Sequence, residues 1–143
     1  IKVLETSPTN PGLDKLLLDV PEDYLVFLNP CLIFLSCETI IAKIMEFDES
    51  GKEYGTTVKQ FKNWLWDDEI NAVNYIDYKR LTTKEITPWY QCAHCFHVFN
   101  KNNFIEDGYM LKEDLCLLEI PAEETIDIDE QHEYEFARWK WEH

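Results

Sequence analysis

The chain has 143 residues, 45% of them hydrophobic and 14% aromatic, and its 28 acidic residues outnumber 13 basic ones for a formal net charge of −15. That length and apolar content fit one acidic globular domain, residues 1–143, and exclude a disordered acidic tail. The charge opposes direct binding of nucleic acid or of an anionic membrane and favours a basic partner.

In chain order, Ile1 to Leu4 reads as a short strand and Thr9-Asn10-Pro11-Gly12 as a turn, before an apolar run, Leu16 to Val20, that stops at Pro21. Tyr24 to Leu28 and Leu32 to Leu35 are apolar on both faces, as strands in the middle of a sheet are, although a buried helix has the same look over this length. Asn29-Pro30 interrupts this region, which is also too short for a membrane span. Ile40, Ile41, Ile44 and Met45 recur at helical spacing, and Asp48 to Lys52 reads as the turn that follows; a hairpin over Ile44 to Tyr54 is the competing reading. The clearest helix start is Thr57-Val58-Lys59-Gln60, where the Thr57 hydroxyl can accept from the amide three residues on and Gln60 can reach back. Val58, Phe61 and Leu65 would line that helix, which ends before Asp67 or runs to about Tyr75.

Beyond Pro88 the chain becomes aromatic and sulfur-rich from Tyr90 to Phe99, and Asn100 to Asn103 reads as a turn. Leu115 to Ile120 is a strand candidate ended by Pro121. Thr125 to Asp129 sets Ile126 and Ile128 against Asp127 and Asp129, the pattern of a half-buried strand with an acidic outer face. Glu130 to Trp141 fits a helix through Tyr134, Ala137 and Trp141, or a strand through Tyr134 and Phe136. The whole reads as an α+β single domain, a mostly antiparallel sheet with one to three helices packed on it; strands and helices do not alternate as a doubly wound sheet requires.

The five cysteines are odd in number and irregularly spaced, no Asn-x-Ser/Thr site occurs, and the N-terminus has no apolar signal-peptide core. A cytoplasmic location is the expectation. Cys92-Ala93-His94-Cys95-Phe96-His97 is the sharpest local motif: Cys92 and Cys95, with His97 adding a nitrogen, have a spacing that suits zinc. On a regular strand, however, Cys92 and His94 point one way and Cys95 and His97 the other, which leaves ordinary structural cysteines. No cofactor is expected besides zinc, because phosphate-cradling glycine loops and the Gly-x-Ser-x-Gly turn are absent, and no catalytic residue is singled out.

From Glu106 to His143 there are 13 acidic and three basic residues, so this stretch carries ten of the fifteen net negative charges. It also holds Trp139 and Trp141, and a second aromatic pair, Trp64 and Trp66, runs into Asp67-Asp68. The expected partner surface is Asp127, Asp129, Glu130, Glu133 and Glu135, with Trp66, Asp67, Asp68, Trp139 and Trp141 beside it. Aromatic anchors inside an acidic rim suit a basic protein such as a toxin or nucleic-acid-binding protein, as in immunity proteins, antitoxins and phage inhibitors. The alternative function is a small zinc-stabilised module or enzyme built on Cys92, Cys95 and His97.

Overall fold

A computed structural model describes residues 17–74 and 83–143. The strand expected at Ile1 to Leu4 and the turn at Thr9 to Gly12 lie outside the described residues. Four strands, β1 (Tyr24–Leu28), β2 (Tyr54–Phe61), β3 (Trp89–Asn100) and β4 (Cys116–Glu119), form one sheet in the order β1-β3-β2-β4. β3 pairs antiparallel with both β1 and β2, whereas β4 runs parallel to β2. Three helices lying wholly within the described residues, α1 (Cys37–Ser50), α2 (Lys101–Asp107) and α3 (Gln131–Glu142), complete the α+β fold.

Alternation along β3 builds a core on each side of it. Phe96 and Val98 join Phe47 of α1, Leu118 of β4 and Ile120 in one cluster. Phe99 joins Tyr54, Met110 and Phe104 of α2 in the other. Gly55 makes the α1 side possible: a Cβ there would stand 2.7 Å from the Phe47 ring.

Local chemistry sets the helix ends. Ser36 caps α1 by accepting from the Thr39 amide, and Gly51, at φ +65°, ends it in the left-handed conformation that glycine adopts without strain. The hairpin reading of Ile44 to Tyr54 therefore gives way to a helix that persists to Ser50. Asn100 to Asn103 is no simple turn: the Asn100 side chain accepts from the amides of Asn102 and Asn103 and starts α2. Glu130 to Trp141 resolves as helix, because Glu130 and Glu133 form a reciprocal capping box at the start of α3.

Three expectations are corrected. Thr57 opens no helix; it is fully buried within β2, where Val58 pairs with β3 and β4. Leu32 to Leu35 forms turns, with the Leu35 amide bonded to the Leu32 carbonyl, and β1 lies at the sheet edge rather than in its middle. Thr125 to Asp129 is irregular: its Ile128 amide bonds the Asp127 side chain, and among the described residues it pairs with no strand of the sheet. Its period-two pattern is not expressed, because Ile126, Asp127 and Ile128 are all half-buried.

A carboxylate ties this C-terminal region to the N-terminal half. Glu124 accepts from the Ser36 amide at 3.0 Å and from the Thr39 hydroxyl at 2.9 Å, placing negative charge at the start of α1 where the helix dipole favours it. Glu124→Gln is expected to lower unfolding stability by about 1–2 kcal/mol, since bonds to a half-buried charge are lost or weakened. Urea unfolding followed by circular dichroism measures this, and an unchanged midpoint would refute it.

Asp107 gives the fold an acid-sensitive bond. It accepts from the Tyr54 hydroxyl and pairs with Lys112 at 3.2 Å, and these contacts hold its carboxyl below its ordinary value of 3.8. A lowered folded-state value stabilises the fold above pH 3.8 and is lost as pH falls through the depressed value. Asp107→Asn should therefore be less stable than the parent at pH 7. The difference should close in strong acid; urea midpoints measured down the pH scale test that convergence.

Candidate functional site

Two regions concentrate chemistry, and both depend on irregular backbone. The first is in β3. Thr56 of β2 faces His97 of β3, but Val58 faces Cys92, so Thr57 alone spans four β3 residues, Ala93 to Phe96. The excess segment bulges, and His94 sits in it at φ +52°, a left-handed conformation that costs a non-glycine residue on the order of 1 kcal/mol. The buried Thr57 hydroxyl satisfies the displaced backbone. It accepts from the amides of Cys95 and Phe96 at 3.0 and 3.1 Å and donates to the Phe96 carbonyl at 3.0 Å. The Cys95 carbonyl accepts in turn from the Asn29 amide.

Three extra residues reverse the in-out parity of the strand. Thr56 and Val58, two apart on β2, face the same way, and so must their partners His97 and Cys92. The Sγ of Cys92 and a ring nitrogen from each of His94 and His97 lie within 4.8 Å of one another, a spacing that can hold one metal ion. The Thr56 hydroxyl touches His97 Nδ1 at 2.9 Å and Cys92 Sγ at 3.6 Å, and Cys92 Sγ lies 3.5 Å from His94 Nδ1. Burial, then the nearby His94, pushes His97 down to about 4, so its ring is neutral at pH 7.

The expected ligand set is thus corrected in one member. Cys95 is 0% exposed and packs in the α1-side core with Phe96 and Leu118, where burial pushes its thiol up to about 11. His94 takes its place beside Cys92 and His97. The left-handed residue is what alternation reasoning missed; no residue at position 94 announces it, because histidine has no glycine-like freedom.

The second region surrounds α3. Ala137 is its one buried residue. Lys140 anchors the helix by donating to the Glu123 carbonyl at 3.0 Å and lying 4.4 Å above the Phe34 ring. Between α3 and the turns before α1 runs an apolar groove of about 610 Å³, lined by Cys31, Ile33, Ile128, Tyr134, Ala137, Arg138 and Trp141. On another face Phe136, Trp139 and His143 stack in sequence, with ring centroids 6.5 and 5.3 Å apart. Trp139 and Trp141 are 58% and 74% exposed.

The expected acidic residues divide by role. Glu133 accepts from the amides of Asp129 and Glu130, and these bonds lower its carboxyl below the usual range. Asp67 accepts from the Asn71 and Glu69 amides within a tight turn, again with a lowered value, so both are structural carboxylates. Asp129, Glu130, Glu135 and Asp68 are exposed, and Asp127 is half-buried. Asp127, Asp129 and Glu130 precede α3, Glu133 lies in its first turn and Glu135 just beyond that turn. Trp66 belongs to a separate turn, bridged to Ala72. Asp127 and Asp129 also meet Cys31 in a second trio with metal-compatible spacing.

No protein-family profile matches the chain, and no curated protein matches it. The fold resembles the crystal structure of 4-diphosphocytidyl-2C-methyl-D-erythritol synthase from Anaerococcus prevotii, with a TM-score of 0.65. That likeness covers 99% of this chain and 69% of the synthase chain at 13% identity, and it shows the fold alone. Among the described residues, no helix is long and apolar enough to cross a membrane.

The Thr57 hydroxyl offers a direct test of the bulge. Thr57→Val keeps the shape but strands two buried amides, and should cost about 2–4 kcal/mol. Thr57→Ser should keep most of the stability. Equal stability of the two variants in thermal melts would contradict the assignment.

Proposed function

We propose that this chain is an acidic interaction domain that binds and inhibits a basic protein partner through α3 and the groove beside it. The observation that carries this reading is the aromatic surface of α3: Tyr134, Phe136, Trp139 and Trp141 are all exposed on one helix. Large aromatics beside an apolar groove are the side chains that dominate interface energy. Asp129, Glu130 and Glu135 supply a rim of negative charge around them, continuous with a C-terminal quarter of net charge −10. Such a rim steers a lysine- or arginine-rich surface and repels nucleic acid, so carboxylates take the place of phosphates on a toxin or nucleic-acid-binding protein.

The test is capture from the native host at low and high salt, followed by kinetics with the protein recovered. The partner should be basic, with an association rate that falls steeply as salt rises. Trp139→Ala with Trp141→Ala should weaken binding by roughly 10–100-fold through faster dissociation. Asp129→Lys with Glu135→Lys should instead slow association and flatten its salt dependence. Failure to retain any basic protein at low salt, or binding indifferent to all four substitutions, sinks the proposal.

A second reading, a zinc-binding module, is favoured by one specific observation: Cys92, His94 and His97 present thiol and imidazole groups within reach of a single ion.

A further inference from the structure

The zinc reading leaves open what kind of site the β3 bulge builds. Structural zinc sites close around four protein ligands, whereas exchangeable and catalytic sites keep a position for an outside ligand. Among the described residues, the group around Cys92 has three members, and neither Cys95 nor a carboxylate joins it. Cys95 lies in the α1-side core, opposite in packing to the Thr56–His97 pair. His97 is buried while His94 is exposed, so the cluster is anchored at one side and faces solvent at the other.

Resting on that second reading, we propose that Cys92, His94 and His97 form an open zinc site whose fourth position takes water or a small exogenous anion or thiolate. Binding displaces the Cys92 thiol proton to solvent, and the thiolate and two neutral imidazoles become the ligands. The Thr56 hydroxyl is the positioning group: in the metal-free chain it already contacts both Cys92 Sγ and His97 Nδ1. The motif therefore works as Cys-x-His-x-x-His, and the second cysteine of Cys-x-x-Cys serves the core.

Cobalt(II), titrated into the reduced, chelator-treated full chain, is the probe, because a thiolate ligand gives it a charge-transfer band and its visible spectrum reports coordination. One equivalent should bind with that band. Cys92→Ser should abolish the band, Cys95→Ala should keep it, and His94→Gln or His97→Gln should weaken binding at least 10-fold. Adding azide to the cobalt form should shift the visible spectrum, as an open position requires. Zinc should also protect Cys92 of the unmodified chain from alkylation while leaving the exposed Cys37 reactive, a measurement that depends on no variant.

The outcomes separate the inference from the reading beneath it. A folded chain that binds neither cobalt nor zinc removes both. Metal binding that survives Cys92→Ser, or that protects Cys95 rather than Cys92, overturns this ligand set while the zinc reading stands. Stoichiometric binding through Cys92 with a spectrum indifferent to azide and to added thiol overturns the open position alone.

Discussion

The Thr57 hydroxyl is the constraint on which the sheet depends. Inserting three extra residues into a central strand would ordinarily orphan buried amides, each costing more than a formed hydrogen bond returns. One side chain removes that penalty by accepting from two amides and donating to one carbonyl. Asn29, just past β1, takes up the Cys95 carbonyl on the other side of β3. The irregularity is therefore held from both neighbouring strands, and β3 continues through it to pair with β1 in regular register. Parity follows: residues before the bulge and after it change places with respect to the two cores.

That change explains what could and could not be read from sequence. Only the acceptor character of the Thr57 hydroxyl was legible; the helix start expected there is contradicted, since Thr57 lies within β2. Its partners were not, because the amides belong to a strand some forty residues away and no local pattern encodes that approach. α1 was legible in part: Ile40 and Ile44 keep a helical period, but the turn expected from Asp48 begins only at Gly51, because the helix persists to Ser50. β4 was legible as an apolar run and β3 only as an aromatic, sulfur-rich segment, whereas the equally apolar Leu32 to Leu35 forms turns. Apolar content says that a segment is buried; pairing decides whether it becomes a strand. The Thr125 to Asp129 alternation failed for the same reason: among the described residues it pairs with no strand.

The metal-compatible cluster shows the limit of motif spacing more sharply. Cys-x-x-Cys implies a knuckle that turns two sulfurs toward one point, while strand alternation implies that they diverge. The two sulfurs do diverge, as alternation implies, but His97 joins the Cys92 side against it. A strand interrupted by a left-handed histidine turns Cys92 and His94 together and leaves Cys95 in the core. Charge counting had a parallel limit. Glu124, Glu133, Asp67 and Asp107 are engaged with amides, hydroxyls or a lysine, so part of the acidic excess organises the fold rather than its surroundings. The acids left exposed around α3 are fewer than the sequence suggests, but they lie beside the aromatics.

The construction of α3 bears on why those aromatics are exposed at all. A twelve-residue helix is marginal on its own in water and normally persists by burying an apolar face. Here the buried face is one alanine, supplemented by the Lys140 anchor and the Glu130–Glu133 box. The four large aromatics contribute little to holding the helix on the domain, since each keeps at least half of its surface in solvent. The helix is thus attached through its smallest residue and its charges, with its largest apolar side chains turned outward. The groove lies on one side of α3 and the stacked Phe136–Trp139–His143 face on the other, so apolar surface is left open to solvent on both.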